Sequence, residues 1–535
     1  MLSFSGDVGS GTRISVDGID LTDEIVASAA LNLSQEAIQE FQVSRSSFDS
    51  STGLTGAGAV NIVTRSGSNA WHGPGLATLR TDHWAARLGD QPAPFDREQY
   101  AARLGGPLLR DRLFAFASVE RTSQDAAVAT RIPGFPQFDR NWPLPYSETM
   151  WNARLDWNTR GGTRAFARYL RDENAGEATG RLGLGGTQLT PFQTRVRGEQ
   201  AVLGLDLAGR RVTHSFRLGY LDTDWLVGTT RLTDVPQVRG ADGRAVLVSF
   251  VPLGAFDYVN NPPLIGPSVM PTTHLLQRNY ELRYDGAVQA GRHLLRWGGL
   301  FNRVRVNWFA SFFGSAPEVD IAVNSETQAQ CGDDLGCYPV TSFVLGNGLG
   351  YVSETPALGQ PFGGGINDRL HLYVADDWAL SPRLSLALGL RWVHEPGQTN
   401  ADLAKPPLLA EFDSALARRD REVWTDFAPR LGLAWDTGGD GRTVLRAAGG
   451  LYYDVNVFNT TLFFRQPFLP YGIGWDIRFQ PGPQACSDPR FPDGRCPLGE
   501  AGVIDAILAR WDSYRAEAAE DPSPWCAQAS CTGET

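Results

Sequence analysis

The chain is built from segments that alternate apolar and polar residues with a period of two, and the connections between them alternate in length. In LSLALGLRW, residues Leu384, Leu386, Leu388, Leu390 and Trp392 share one face, while Ser385, Ala387, Gly389 and Arg391 take the other. WNARLDWN sets Trp151, Ala153, Leu155 and Trp157 against Asn152, Arg154, Asp156 and Asn158. FAPRLGLAWD and NYELRYDGAV repeat the pattern around Leu431 and Leu282. A period of two is the mark of a β-strand with one apolar and one polar face. Around 163–172 and 371–378 the two faces are mixed.

Six connections are tight clusters of turn-forming residues: PLLRDR after Gly106, NTRGGTR at Asn158, AGRR at Ala208, QAGRH at Gln289, LSPR at Leu380 and DTGGDGR at Asp436. Such clusters between alternating runs are hairpin signals. The connections between these hairpins are long, over 121–145, 173–197, 226–276, 307–368 and 395–425. Structureless loops beyond about 12–15 residues are uncommon in soluble domains. Short turns on one side and long loops on the other, with aromatic residues at the strand ends, describe a transmembrane β-barrel. A soluble sandwich or propeller also alternates. Sandwich loops do not sort by parity, however, and no repeat of about 40–50 residues is present. The expected fold class is all-β, a transmembrane antiparallel β-barrel of which about 13 strands can be counted. A small α/β unit precedes it.

Composition closes several other routes. No window approaches the 18 or so uncharged apolar residues of a spanning helix. The start, MLSFSGDVGSGTR, has neither a basic nor an apolar leader region, so either the protein stays where it is made or its N-terminus lies upstream. A net charge of −11 gives no footprint for nucleic acid. The six cysteines fall into close pairs in Gly/Pro/Asp-rich stretches: Cys331 with Cys337, Cys486 with Cys496, and Cys526 with Cys531. Local disulfides are the expectation, because the spacings do not fit a zinc ribbon and no histidine is near.

A search for chemistry returns no catalytic constellation. The seven histidines form no HExxH or HxH pattern. Asp376 and Asp377 are neighbours on a strand and point to opposite faces. His394–Glu395 reads as a solvated pair at a strand end, GLGLGG at 180–186 lacks a strand–helix context, and DTGGDGR is half a calcium loop without its glutamate. No enzyme activity, cofactor or metal is expected. The arginines of the short turns, Arg110, Arg160, Arg210, Arg292, Arg383 and Arg442, read as solubilising charges.

Residues 13–69 read as a separate unit. RISVDGIDL is a strand with a turn, Ser34 opens a short helix that runs into a strand, and GAGAVNIVTRSG is a Gly-rich turn feeding another. These stretches, with REQYAARLGGPLLRDRLFAFASVE, ADDWALSPRLSLALGLRW and DFAPRLGLAWDTGGDGRTVLRAAGGLYYD, resemble the TonB-dependent outer-membrane receptors, and among them the Oar-like branch. The resemblance covers 13–455 in the family's order.

That resemblance implies a plug inside a large barrel whose lumen it occupies. It makes 1–70 the C-terminal part of the plug, 71–455 barrel strands with long extracellular loops, and 456–535 a long loop-like tail. The plug-to-barrel junction falls on Gly56, Gly58, Asn61, Thr64, Trp71 and Gly73, with the glycines turning the chain and Trp71 entering the aromatic girdle. The implied function is energy-coupled uptake of an unidentified extracellular ligand across the bacterial outer membrane. The implied partners are outer-membrane lipid and a TonB-type coupling complex reached through a segment upstream. Surface adhesion or protein export through such a barrel is the alternative. Tyr351, Trp225 and the aromatics of 308–313 could face a ligand, though girdle or loop packing is the plainer reading. The chain itself reads as a fragment, since an odd, open sheet would leave edges unpaired in hydrocarbon.

Overall fold

The computed structural model describes residues 12–25, 27–44, 49–52, 58–84, 95–179, 188–251, 262–310, 313–346, 365–398, 409–414, 418, 423–453, 457–458, 461, 476–479 and 495–520. Thirteen antiparallel strands pair in chain order from Gly75–Thr81 to Val444–Gly450, and a short fourteenth, Arg140–Pro143, pairs with Leu113–Thr130. Each tight turn fixes the register of the hairpin it closes. Thr273–Ala290 and His293–Ala310 pair over their whole length, with Ala290 opposite His293 and Thr273 opposite Ala310. Among the described residues the sheet is open, with Gly75–Thr81 and Val444–Gly450 at its edges.

The wall is inside out relative to a soluble protein. Leu203, Leu218, Leu282, Leu372, Leu388 and Trp435 are exposed, while Arg168, Gln200, Glu281 and Arg369 are buried. A continuous apolar outer face of this size marks a surface that meets lipid or a partner.

The charges are buried because the N-terminal unit sits within the curve of the wall. Its four strands run in the order Ile19–Asp20, Thr12–Val16, Gly58–Thr64 and Ile38–Ser44. The turn after Thr12–Val16 uses left-handed backbone at Asp17 and Gly18. The helix expected after Ser34 is one 3-10 turn, Gln35–Ala37, with the Ser34 hydroxyl accepting from the Glu36 N–H. Ile38–Ser44 then pairs antiparallel with Gly58–Thr64 as a strand and leaves no room for further helical turns. Contacts reach the unit from the second wall strand, through Arg103 and Glu36, to the twelfth, through Arg430 and the Asp49 carbonyl. A sheet touching one small unit along this run of strands must wrap around it.

Inward-facing glycines give the unit room. A Cβ at Gly219 would lie 2.4 Å from Cγ2 of Ile19, one at Gly389 2.0 Å from Oγ of Ser50, and one at Gly198 3.0 Å from Cβ of Leu31.

At the loop end the chain is more ordered than its sequence suggests. The wall strands run to 18 residues, as in Leu113–Thr130 and Val212–Thr229, well past the ten or so that cross a bilayer. Ladder hydrogen bonds need no apolar face, so pairing continues into the stretches read as loop. Beyond it lies a second sheet in the order Gln188–Leu189, Leu264–Ile265, Ala245–Val251, Glu318–Ala322, Val340–Gly346 and Asp476–Phe479. The tail expected to be loop-like contributes the helix Val503–Glu520. Its Ile504, Ile507, Leu508, Trp511 and Tyr514 share a core with Phe135, Val248, Val319 and Tyr338. The Trp511 indole N–H donates to the Gly346 carbonyl at 2.9 Å.

Gly219→Val should force the Ile19 turn off the wall. The expected cost is that of overpacking, about 1–3 kcal/mol. It should show as faster proteolysis of 12–64 with the wall strands still intact.

Candidate functional site

The surface with the densest specific chemistry is the interface between the N-terminal unit and the wall. Glu24, in the loop after Ile19–Asp20, is buried together with Arg369 of the wall strand Gly365–Ser381. Both terminal nitrogens of Arg369 donate to the Glu24 carboxylate at 2.5 Å, a fork-to-fork pair. Arg13 reaches the same carboxylate at 2.8 Å and Asp20 at 3.2 Å. Arg369 Nε lies 3.3 Å from Glu395, which also meets His371 at 3.2 Å. Arg391 faces the other ring nitrogen of His371 at 2.8 Å and donates to the Ser50 and Thr52 carbonyls at 2.8 Å each.

Burial alone would push these carboxyls up. For Glu24 the fields and hydrogen bonds of Arg13 and Arg369 outweigh it, and the carboxyl is held below its usual range. Burial likewise opposes ionisation of Glu395, yet Arg369 and His371 bring it down to about 2. Asp20 goes the other way, because desolvation exceeds the pull of Arg13 and Glu24 adds a like charge.

A second clamp holds the turn of the unit. Asp17 pairs with Arg168 at 2.9 Å and Arg154 at 3.1 Å, and Thr64 donates to it through its hydroxyl at 2.8 Å. Side chains of the wall also take up the backbone of the unit. Gln277 accepts from the Glu24 N–H at 2.8 Å and donates to the Thr22 carbonyl at 3.0 Å. Gln200 donates to the Asp20 carbonyl at 2.9 Å, and Asp172 accepts from the Asn32 N–H at 3.0 Å. A cavity of about 840 Å³ opens beside these clamps toward the turn end of the wall, lined by Arg154, Asp206, Arg217, Arg283 and Asp285 among others.

The junction residues expected from the sequence are only partly together. Thr64 is buried in the Asp17 clamp and Asn61 accepts from the Ser15 hydroxyl at 3.0 Å. Gly58 lies inside a strand opposite Thr12, so it makes no turn. Gly56 lies outside the described residues. Trp71 lies over Gly106, where a Cβ would come within 2.2 Å of its ring, and Gly73 lies against Leu104 and the Arg103 carbonyl. The linker is pinned by a pair the sequence did not suggest: Asn69 and Asp111 exchange hydrogen bonds of 2.6 and 2.9 Å.

Cys331 and Cys337 are joined in a disulfide, and Cys496 is disulfide-bonded. Cys486, Cys526 and Cys531 fall outside the described residues, as do Tyr351 and the glycines of 180–186. Glu395, read as half of a solvated pair, is instead buried against Arg369 and His371, because the hairpin register brings the strand end beside them. Trp308 packs with Ile25, Leu275, Val304, Val306 and Phe458, and Trp225 packs against them. Asp377 pairs with Arg296 and Asp376 with His293, on opposite faces of their strand.

Residues 63–137 and 127–473 match the family model for an outer membrane beta barrel domain. A stretch of 126 residues is 30% identical to the TonB-dependent transporter Oar of Myxococcus xanthus, covering 22% of this chain and 12% of that protein. The outer membrane transporter YddB of Escherichia coli superposes with a TM-score of 0.57 at 10% identity, over 89% of this chain and 57% of its own. The ferric enterobactin receptor PfeA of Pseudomonas aeruginosa superposes at 0.51 and 14% identity, over 86% and 56%. The chain therefore spans little more than half of these solved structures, and the structural likeness speaks to the fold.

Glu24→Gln should leave Arg13 and Arg369 facing a neutral amide and cost about 3–5 kcal/mol of seating free energy. The depressed carboxylates, Glu24 and Glu395, stabilise fully above the ordinary glutamate value of 4.5 and lose that contribution as pH falls below it, Glu395 only on reaching about 2. Asp20, shifted upward by desolvation, contributes in the opposite sense, since its protonation relieves the burial of a charge. Protease protection of 12–64 should thus hold to about pH 4.5 and fall below it. In Glu24→Gln, protection should be weak at neutral pH and its acid transition shallower.

Proposed function

Because this chain belongs to the outer membrane beta barrel domain family, we propose that it forms the plugged part of a TonB-dependent transporter of the bacterial outer membrane. In this reading residues 12–64 are plug, the thirteen strands are wall, and the second sheet faces outside the cell. The plug yields to an energy-coupling complex acting from the periplasm and admits an extracellular ligand. The two wall edges would be untenable in hydrocarbon, so in the membrane they pair with further strands.

One observation carries the proposal: the unit is seated largely through ion pairs and hydrogen bonds between the second and twelfth wall strands. Such contacts are separable. Each can be exchanged for water at a net cost of about 1.5–3 kcal/mol, the scale of a hydrogen bond to a charged group, whereas an apolar core has no such substitute. A plug that must move while the wall stays paired needs this kind of interface.

The test uses Ile19→Cys, placed at the Gly219 contact, and a maleimide too polar to cross membranes. Labelling in cells growing in their native medium should rise with a proton gradient and fall when it is collapsed. Labelling indifferent to the gradient would favour adhesion or export and sink the transporter reading.

A further inference from the structure

The lumen face of the wall carries Gln200, Glu281 and Arg369 beside the inner unit, but at the loop end it turns apolar. The pairing register sets Trp225 opposite Leu275, Leu275 opposite Trp308, and Val306 opposite Gly365. Each lies an even number of residues from a side chain or glycine already seen to face the unit, such as Gly219, Gln277 and Arg369. Alternation therefore turns all of them inward. Ile25 of the inner unit packs with them. The sides of this pocket come from adjacent wall strands held in continuous ladders. Its shape is thus set without help from the residue that fills it.

The filling residue, Phe458, belongs to neither the paired wall nor the inner unit. It is 1% exposed and shares a core with Ile25 and Trp308. Gly365 makes the room, since a Cβ there would lie 2.2 Å from the Phe458 ring. The Phe458 N–H donates to the Glu24 carbonyl at 2.8 Å. The other groups of Glu24 are taken: its N–H by Gln277, its carboxylate by Arg13 and Arg369. Two features therefore hold Phe458, a ring in an apolar pocket and one main-chain donor on a fixed carbonyl. Any aromatic residue of a peptide presents the same pair. A group tethered in this way competes with a free ligand at an effective concentration in the millimolar range.

We propose that this pocket binds an aromatic residue of an extracellular peptide, and that Phe458 is its internal stand-in. The ligand ring takes the place of the Phe458 ring, and the ligand backbone N–H takes over the hydrogen bond to the Glu24 carbonyl. The inference rests on the outward orientation of the loop end given above and not on transport. An apolar lining with one carbonyl acceptor suits a ring and an N–H. The hydroxyls of a sugar or the charge of an anion would be left unpaired there.

The experiment titrates isotopically labelled N-acetyl-phenylalanine methylamide onto the full chain in a neutral detergent, read by equilibrium dialysis against empty micelles. Heat-modifiable gel migration reports separately whether each variant has folded. Phe458→Ala should bind the probe about tenfold more tightly than the unaltered chain, because the tethered competitor is gone. Phe458→Leu, which keeps an apolar side chain and serves if the alanine variant does not fold, should give a smaller gain in the same direction. Gly365→Val placed in either variant should abolish the gain, since its side chain enters the space of the ring. Methyl phenylpropionate, which has the ring but no N–H, should bind several-fold to about tenfold more weakly than the amide, the scale of one hydrogen bond. Equal binding by the unaltered chain and the folded Phe458 variants would overturn the proposal. So would a gain that survives Gly365→Val, or an ester that binds as well as the amide, which would make the pocket a plain apolar cavity. None of these outcomes bears on the gradient dependence of Ile19→Cys labelling, so the two readings fail separately.

Discussion

Within hydrocarbon no water is available to the peptide backbone, so every N–H and carbonyl of a spanning segment must find a partner in a neighbouring strand. That requirement explains the uninterrupted ladders of the wall, in which Val212–Thr229 pairs residue for residue with strands on both sides. It also explains the inverted distribution of side chains. A paired strand in a curved wall has one face for lipid and one for the lumen. Alternation therefore places Leu218 and Leu282 outside, and Gln200 and Glu281 inside. Whatever fills the lumen must then be polar where it meets the wall.

The N-terminal unit meets that condition by matching charge with charge. Withdrawing Glu24 and Arg369 from water is costly, and their fork of hydrogen bonds, with Arg13 and Glu395 around it, offsets the cost. A buried pair of this kind is a weak source of net stability compared with an apolar contact of the same volume. Its value is registration: only one seating of the unit lets Asp17 and Glu24 both meet the arginines of the wall. Apolar contacts remain confined to small patches, such as Ile14, Val16 and Leu31 against Leu170 and Leu221.

Much of this was legible in the sequence, because lipid enforces a period of two more strictly than a soluble core does. The strands, their hairpin turns and the unit before them follow from spacing alone. The two segments whose faces read as mixed, around 163–172 and 371–378, turn out to supply Arg168, Asp172 and His371 to the lumen. Cleanly alternating segments reach the inner unit as well, since Arg154 of WNARLDWN pairs with Asp17 and Arg283 of NYELRYDGAV donates to the Gly18 carbonyl. Glu395 was missed because it falls just past the end of its strand and so read as solvated, although the hairpin register that pairs Leu370 with His394 brings it beside Arg369. The second sheet was hidden for a related reason. Its strands are short, it pairs segments from four different connections, and its core closes only when the helix at 503–520 is added. No local window contains that information.

The loop end and the inner unit are also joined covalently at a distance. After the last wall strand the chain returns to the lumen, where the Phe458 N–H donates to the Glu24 carbonyl at 2.8 Å. The Phe458 ring lies against Gly365, where a Cβ would come within 2.2 Å of it, and shares a core with Ile25 and Trp308. Glu24 is therefore held from three directions: by Arg13 of its own unit, by Arg369 of the wall, and through its backbone by the segment that leads to the second sheet.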